Sequence, residues 1–151
     1  METAARLPTC SMRWRGHRVS EATGVLSGPV VVQVPAEASM ARLVRLAASS
    51  LAAMAAMDVD QIEDVKIVVS EVMAALIEHG DGPDITIKLE LDTHQLTISG
   101  YTDARVFVAD SEELALSVTV LAAIAAEHHL EHADGRLLII ATYSADDGPD
   151  A

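Results

Sequence analysis

The run of residues 60–80, DQIEDVKIVVSEVMAALIEHG, constrains the fold more than any other part of the chain. Ile62, Val65, Val69, Val72 and Leu76 recur at helical spacing, and Ile67, Val68, Met73 and Ile77 widen them into a broad apolar face. The spacing predicts one long amphipathic helix that must lie against other elements. Asp60 is the expected N-cap, with Glu63 completing a capping box, and Gly80 is the expected stop. Glu71 sits in the middle of this apolar run.

Around this helix the remaining elements can be placed by pattern. PVVVQV at residues 29–34 reads as a strand, and a turn leads from it into a helix over residues 40–57. Asp58 and Val59 link that helix to the long one. Residues 80–84, GDGPD, form a dense turn signal. ITIKLEL at residues 85–91 alternates apolar and polar side chains, as a half-exposed strand does. After a tight turn at 92–94, QLTISG is its antiparallel partner. Residues 105–108 are a further short strand, residues 112–128 a third helix, and residues 136–143 a buried last strand. The order is strand, helix, helix, strand, strand, helix, strand. It lacks a regular βαβ rhythm, so the expected class is α+β: a two-layer sandwich, an open, mostly antiparallel mixed sheet with three helices on one face.

Composition narrows the function classes. The chain has 151 residues, enough for one domain with a real core, and its net charge is −13. A phosphate backbone needs a dense basic face, so direct nucleic-acid binding is not expected. An acidic surface suits a basic protein partner, or serves solubility alone. A single cysteine, Cys10, excludes an intrachain disulfide framework and a cysteine-cluster metal site, and fits a reducing cytoplasm. No stretch approaches about 18 uninterrupted apolar residues, so no membrane span is expected. Residues 1–28 hold Arg6, Arg13, Arg15 and Arg18 and read as a leader or a basic docking arm. Residues 29–144 are the domain, and 145–151 an acidic tail.

The motif E-x-x-x-x-x-I-E-H-G, from Glu71 to Gly80, resembles the helix that carries the ATP/magnesium motif in the GHKL (histidine-kinase-like ATPase) fold. It is most similar to the anti-sigma-factor serine kinases of bacterial partner-switching systems. The resemblance implies a general-base role for Glu71. In that family the residue four after this glutamate is an asparagine that helps hold magnesium; here it is Ala75, and a methyl group cannot orient a metal-bound water. The family's adenine-reading aspartate corresponds roughly to Gly100, and Asp103 is the nearest carboxylate. Glu113 and Ala115 stand where the family has a glycine-rich G-x-G, and a carboxylate there repels phosphate. The lid loop looks shortened. Three parts of the site thus depart from the family pattern.

Two functional expectations follow from the resemblance. The first is a regulatory protein-binding module that sequesters a sigma factor or an anti-sigma antagonist, with no cofactor and no retained kinase activity. The second is an active serine/threonine kinase that binds ATP and Mg2+, with Glu71 as base and Asp103 as adenine contact. Either implies that the helix over residues 40–57 lies near the partner surface, with Arg42 and Arg45 as candidate contacts. A homodimer through the sheet edge and neighbouring strands is a further implication. His79, His94, His128, His129 and His132 invite a metal reading, with Glu127 and Glu131 as added oxygen ligands. No H-E-x-x-H motif supports it, and a polar helix end explains His128 and His132 as well. No metal site is expected.

Overall fold

The computed structural model describes residues 28–145. The leader and the end of the acidic tail lie outside the described residues. Nine elements follow in order: β1 (Val30–Pro35), a 3-10 turn (Ala38–Met40), α1 (Ala41–Met54), α2 (Val59–His79), β2 (Asp84–Asp92), β3 (Gln95–Asp103), α3 (Glu112–Ile124), β4 (Glu127–Ala133) and β5 (Arg136–Ser144). The strands form one sheet in the order β1-β2-β3-β5-β4. Every adjacent pair is antiparallel. The expected mixed character is absent among the described residues.

Alternation along the strands fixes the two faces. Ile85, Ile87 and Leu89 of β2, Leu96 and Ile98 of β3, and Leu137, Ile139 and Ala141 of β5 are buried on the helix side. Thr86, Lys88, Thr97, Ser99 and Thr142 occupy the outer side and are only partly covered. Above the inner face lies α2, which buries Val65, Val68, Val69, Val72, Met73, Ala75 and Leu76. Its approach to β3 needs a glycine. A Cβ at Gly100 would stand 2.7 Å from Ile87 Cδ1 and 3.0 Å from Val72 Cγ1. α1 and α3 flank α2 on the same layer.

The helix ends differ from expectation in instructive ways. Asp58, not Asp60, is the N-cap of α2; its carboxylate accepts from Gln61 N at 2.9 Å, and Gln61 Oε1 accepts from Asp58 N at 2.9 Å. Glutamine therefore fills the capping-box position expected of Glu63, and the helix starts two residues earlier. α1 ends at Met54, before the expected Met57, in a Schellman motif: Ala56 N–H donates to Ala53 O and Met57 N–H to Ala52 O, both at 3.1 Å. Ala56 holds the left-handed position at φ 57, and Met57 folds back into the core.

Three strand assignments also change. Residues 105–108 are not a strand, while β3 runs on to Asp103. α3 stops at Ile124 rather than His128, because the chain turns into β4. This edge strand takes the place of the polar helix end expected around His128 and His132. Asp134 and Gly135, at φ 53 and 71, form the left-handed two-residue turn that joins it to β5.

Candidate functional site: the outer faces of α1, α2 and α3

Helix α2 carries the residues of the sequence motif on two different stripes. Ile67, Ala74 and Glu78 are exposed, and Glu71 lies beside them, partly covered. Val68, Val72 and Ala75 point inward, and Ala75 is 2 % exposed. Position 75 is therefore packed in the core of α2 against its neighbours, not open to a ligand. It offers no oxygen to a metal ion.

At the C-terminal end of α2 the chain closes tightly on β3. A Cβ at Gly80 would collide with the Thr102 side chain and lie 2.6 Å from Leu76 O. Only glycine fits there. Asp81 N and Gly82 N donate to Asp103 O at 2.8 and 3.2 Å. Asp81 Oδ2 accepts from Arg105 N at 2.9 Å, and Thr102 Oγ1 donates to Asp84 O at 2.9 Å. Thr102 is thus the inward-facing polar residue at the end of β3.

Asp103 takes the opposite side. It pairs with Arg136 on the outer face, with Nε and Oδ1 3.9 Å apart, and the Arg136 guanidinium lies 5.2 Å from the centre of the Tyr101 ring. Strand alternation is the cause: Gly100 and Thr102 point toward the helices, so Tyr101 and Asp103 cannot. Asp103 is thus an exposed residue of the outer sheet face.

The short segment between β3 and α3 is held down by an aromatic cluster. Phe107 stacks on His132 with centroids 4.9 Å apart and meets His79 edge-on at 6.1 Å. His132 Nε2 donates to Ala104 O at 2.7 Å, and His79 Nε2 lies 3.4 Å from Ser111 Oγ. Ser111 also caps α3, accepting from Leu114 N at 3.2 Å. Exposed Glu112 and Glu113 occupy the first turn of α3. Their charge complements the helix dipole and leaves that end unfavourable for phosphate.

The histidines are dispersed in kind. His79 and His132 serve the Phe107 cluster, while exposed His129 lies 3.7 Å from Glu131 on the edge strand. Among the described residues no group of three or more His, Cys, Asp or Glu side chains could hold a metal ion.

Sequence reasoning missed two features. One is the Phe107 cluster, which joins residues far apart in the chain. The other is a cleft of about 560 Å3 at the N-terminal end of α2, lined by Asp58, Asp60, Asp64, Ile124 and Tyr143. There Tyr143 Oη donates to Asp64 Oδ2 at 3.3 Å. Burial, and then the neighbouring Asp64 carboxylate, push the Tyr143 phenol up from 10.0 to about 12. Two further clefts, of about 360 and 190 Å3, lie by the β4–β5 turn and beside Asp84. Neither Glu71 nor Ala75 lines any of these three.

Helix α1 contributes a face of different character. Leu43, Leu46 and Met54 are exposed, at 50, 65 and 53 %. Arg42 is exposed beside them, and Arg45 reaches across to Ser70 Oγ of α2 at 3.4 Å. The helix contains two arginines and no carboxylate, in a chain of net charge −13. Among the described residues, no helix is long and apolar enough to cross a membrane.

Comparison with solved structures identifies the architecture. The structure of the RsbU and RsbW domains of Rv1364c from Mycobacterium tuberculosis matches with a TM-score of 0.59 and 21 % identity, over 77 % of this chain and 31 % of that one. This chain thus spans about a third of that protein's length. Weaker matches are a blue-light activated histidine kinase domain from Erythrobacter litoralis (TM-score 0.48, 13 % identity, 75 % of this chain and 62 % of that one) and the Acinetobacter baumannii histidine kinase AdeS (TM-score 0.45, 8 % identity, 57 % and 48 %). No family model matches, and no curated protein matches by sequence. The fold is that of the histidine-kinase-like ATPases, α+β with an open five-stranded sheet and three helices.

Proposed function

We propose that this chain is a regulatory protein-binding module resembling an anti-sigma factor, which sequesters a sigma factor or an anti-sigma antagonist without retained kinase activity. The observation that carries the proposal is Ala75: a buried methyl group at the position where the resemblance calls for a magnesium-holding asparagine, inside an otherwise intact histidine-kinase-like fold. Asp103 on the far face and the carboxylates at the start of α3 support the same reading.

The partner surface in this reading is α1. Its apolar ridge supplies area to bury, and Arg42 and Arg45 supply the charge that orients a partner with acidic side chains. Rim charges of this kind act mainly on association rate and on salt dependence. The test is a binding titration of the full chain against sigma factors and antagonist proteins from its own source. A complex should form without nucleotide, weaken as salt is added, and lose roughly tenfold or more in affinity with Arg42→Glu and Arg45→Glu together. Absence of any complex would defeat the reading. So would phosphate transfer from ATP to an antagonist that is lost with Glu71→Gln, which would instead establish the kinase alternative.

A further inference from the structure

The cleft at the N-terminal end of α2 has two unlike walls. Asp58, Asp60 and Asp64 form one, and Ala123, Ile124 and Ala125 at the end of α3 form the other. Among the described residues, no lysine, arginine or histidine lines it, and the half-buried Asp64 carboxylate accepts only from Tyr143 Oη. Three carboxylates thus share about 560 Å3 with an apolar surface. A groove of this kind fits a side chain with an aliphatic stem and a cationic head, as arginine has.

We infer that this cleft is the docking site of the chain's own residues 13–18, RWRGHR, which lie outside the described residues. Charge is the first argument. That segment holds three arginines, a histidine and the only tryptophan of the chain, with no carboxylate, in a protein of net charge −13. Its arginines complement the aspartate wall, and its indole complements the wall around Ile124. Position is the second argument. β1 enters the sheet at the end where the cleft lies: Val30 pairs with Leu89, and two residues further along β2, Leu91 pairs with Leu96, which pairs with Tyr143 of the cleft. In the order β1-β2-β3-β5, β5 stands three strand spacings from β1, about 14 Å. The roughly ten residues between Arg18 and Gly28 span up to about 33 Å when extended, so the segment reaches the cleft within one chain. The α1 ridge, with two arginines and no carboxylate, repels the same segment. The cleft is separate from that ridge, so the inference does not depend on the proposed sequestration.

Trp14 fluorescence of the full chain tests it, because no other indole contributes. At low salt the emission should be blue-shifted from that of the unfolded chain. It should move to the unfolded position as salt rises toward about 0.5 M, with the circular dichroism unchanged. Asp60→Asn together with Asp64→Asn, which keeps an acceptor for Tyr143 Oη, should give the same red shift at low salt. Cys10 lies three residues before Arg13 and reports where the segment sits. On mild oxidation it should form an intramolecular disulfide with Ala123→Cys at least about tenfold faster than with Leu46→Cys on α1, and the two Asn substitutions should remove that difference. Emission at the unfolded position at low salt overturns the inference. So does a blue shift that survives both Asn substitutions, or equal rates at positions 123 and 46. A disulfide at position 123 that forms only between copies gives the cleft to the leader of a second copy and overturns docking within the chain.

Discussion

At the scale of single residues, two positions tell most of the story. Ala75 and Glu71 lie one helical turn apart on α2, yet one is in the core and the other at its border. The helix is placed so that position 75 completes a buried face, and a small side chain suits that packing. Tyr143 illustrates how burial becomes a pH effect. Its phenol is pushed up to about 12, by burial first and Asp64 second, while in the unfolded chain it titrates near 10. Between those values the unfolded state has lost the proton and the folded state still holds it. The stability contribution is therefore intact below pH 10 and falls as pH rises from there toward 12. Melting temperature against pH should show this alkaline decline in the native chain, and Tyr143→Phe should flatten it. An unchanged decline in the Phe variant would mean that another group is responsible.

At the scale of elements, the long helix and the central hairpin were legible because their patterns are strong. Val65, Val69, Val72 and Leu76 announce a helix, and ITIKLEL announces a half-buried strand. What was not legible depended on tertiary context. Residues 127–133, EHHLEHA, carry one large apolar side chain, and nothing in their alternation says strand; β4 forms because β5 offers a free edge. The Asp134–Gly135 pair was the available signal, since that dipeptide favours a two-residue hairpin. The side of β3 taken by Asp103 was hidden for a related reason. It depends on how far the strand continues past Gly100, and Gly100 itself reads as a break until α2 is seen resting on it. The α1–α2 junction shows the reverse case, a local rule broken by choice of residue. Ala56 occupies a left-handed position that glycine takes without strain. Ala56→Gly should stabilise the chain by up to about 1 kcal/mol in chemical denaturation. A loss of stability would show that the Ala56 methyl makes a contact worth more than the backbone strain.

At the scale of the whole molecule, the fold and its surface point in different directions. The architecture, an open five-stranded antiparallel sheet with three helices, is the one shared with the structure of the RsbU and RsbW domains of Rv1364c. Phe107 between His79 and His132 holds the segment before α3 against the end of α2, and the carboxylates at the start of α3 face outward. Among the described residues, the helical surface carries an arginine-bearing apolar ridge on α1 and an uncharged face on α3. The sequence carried the first of these through Arg42 and Arg45. It did not reveal the second, because a helix that is apolar all round looks like a fully buried one until its neighbours are known. The most direct test of the central claim is calorimetric titration of the full chain with ATP and ADP in magnesium. No heat of binding and no displacement of a fluorescent nucleotide are expected. Binding tighter than about 100 μM, roughly 5.5 kcal/mol, would contradict it and return the chain to the kinases.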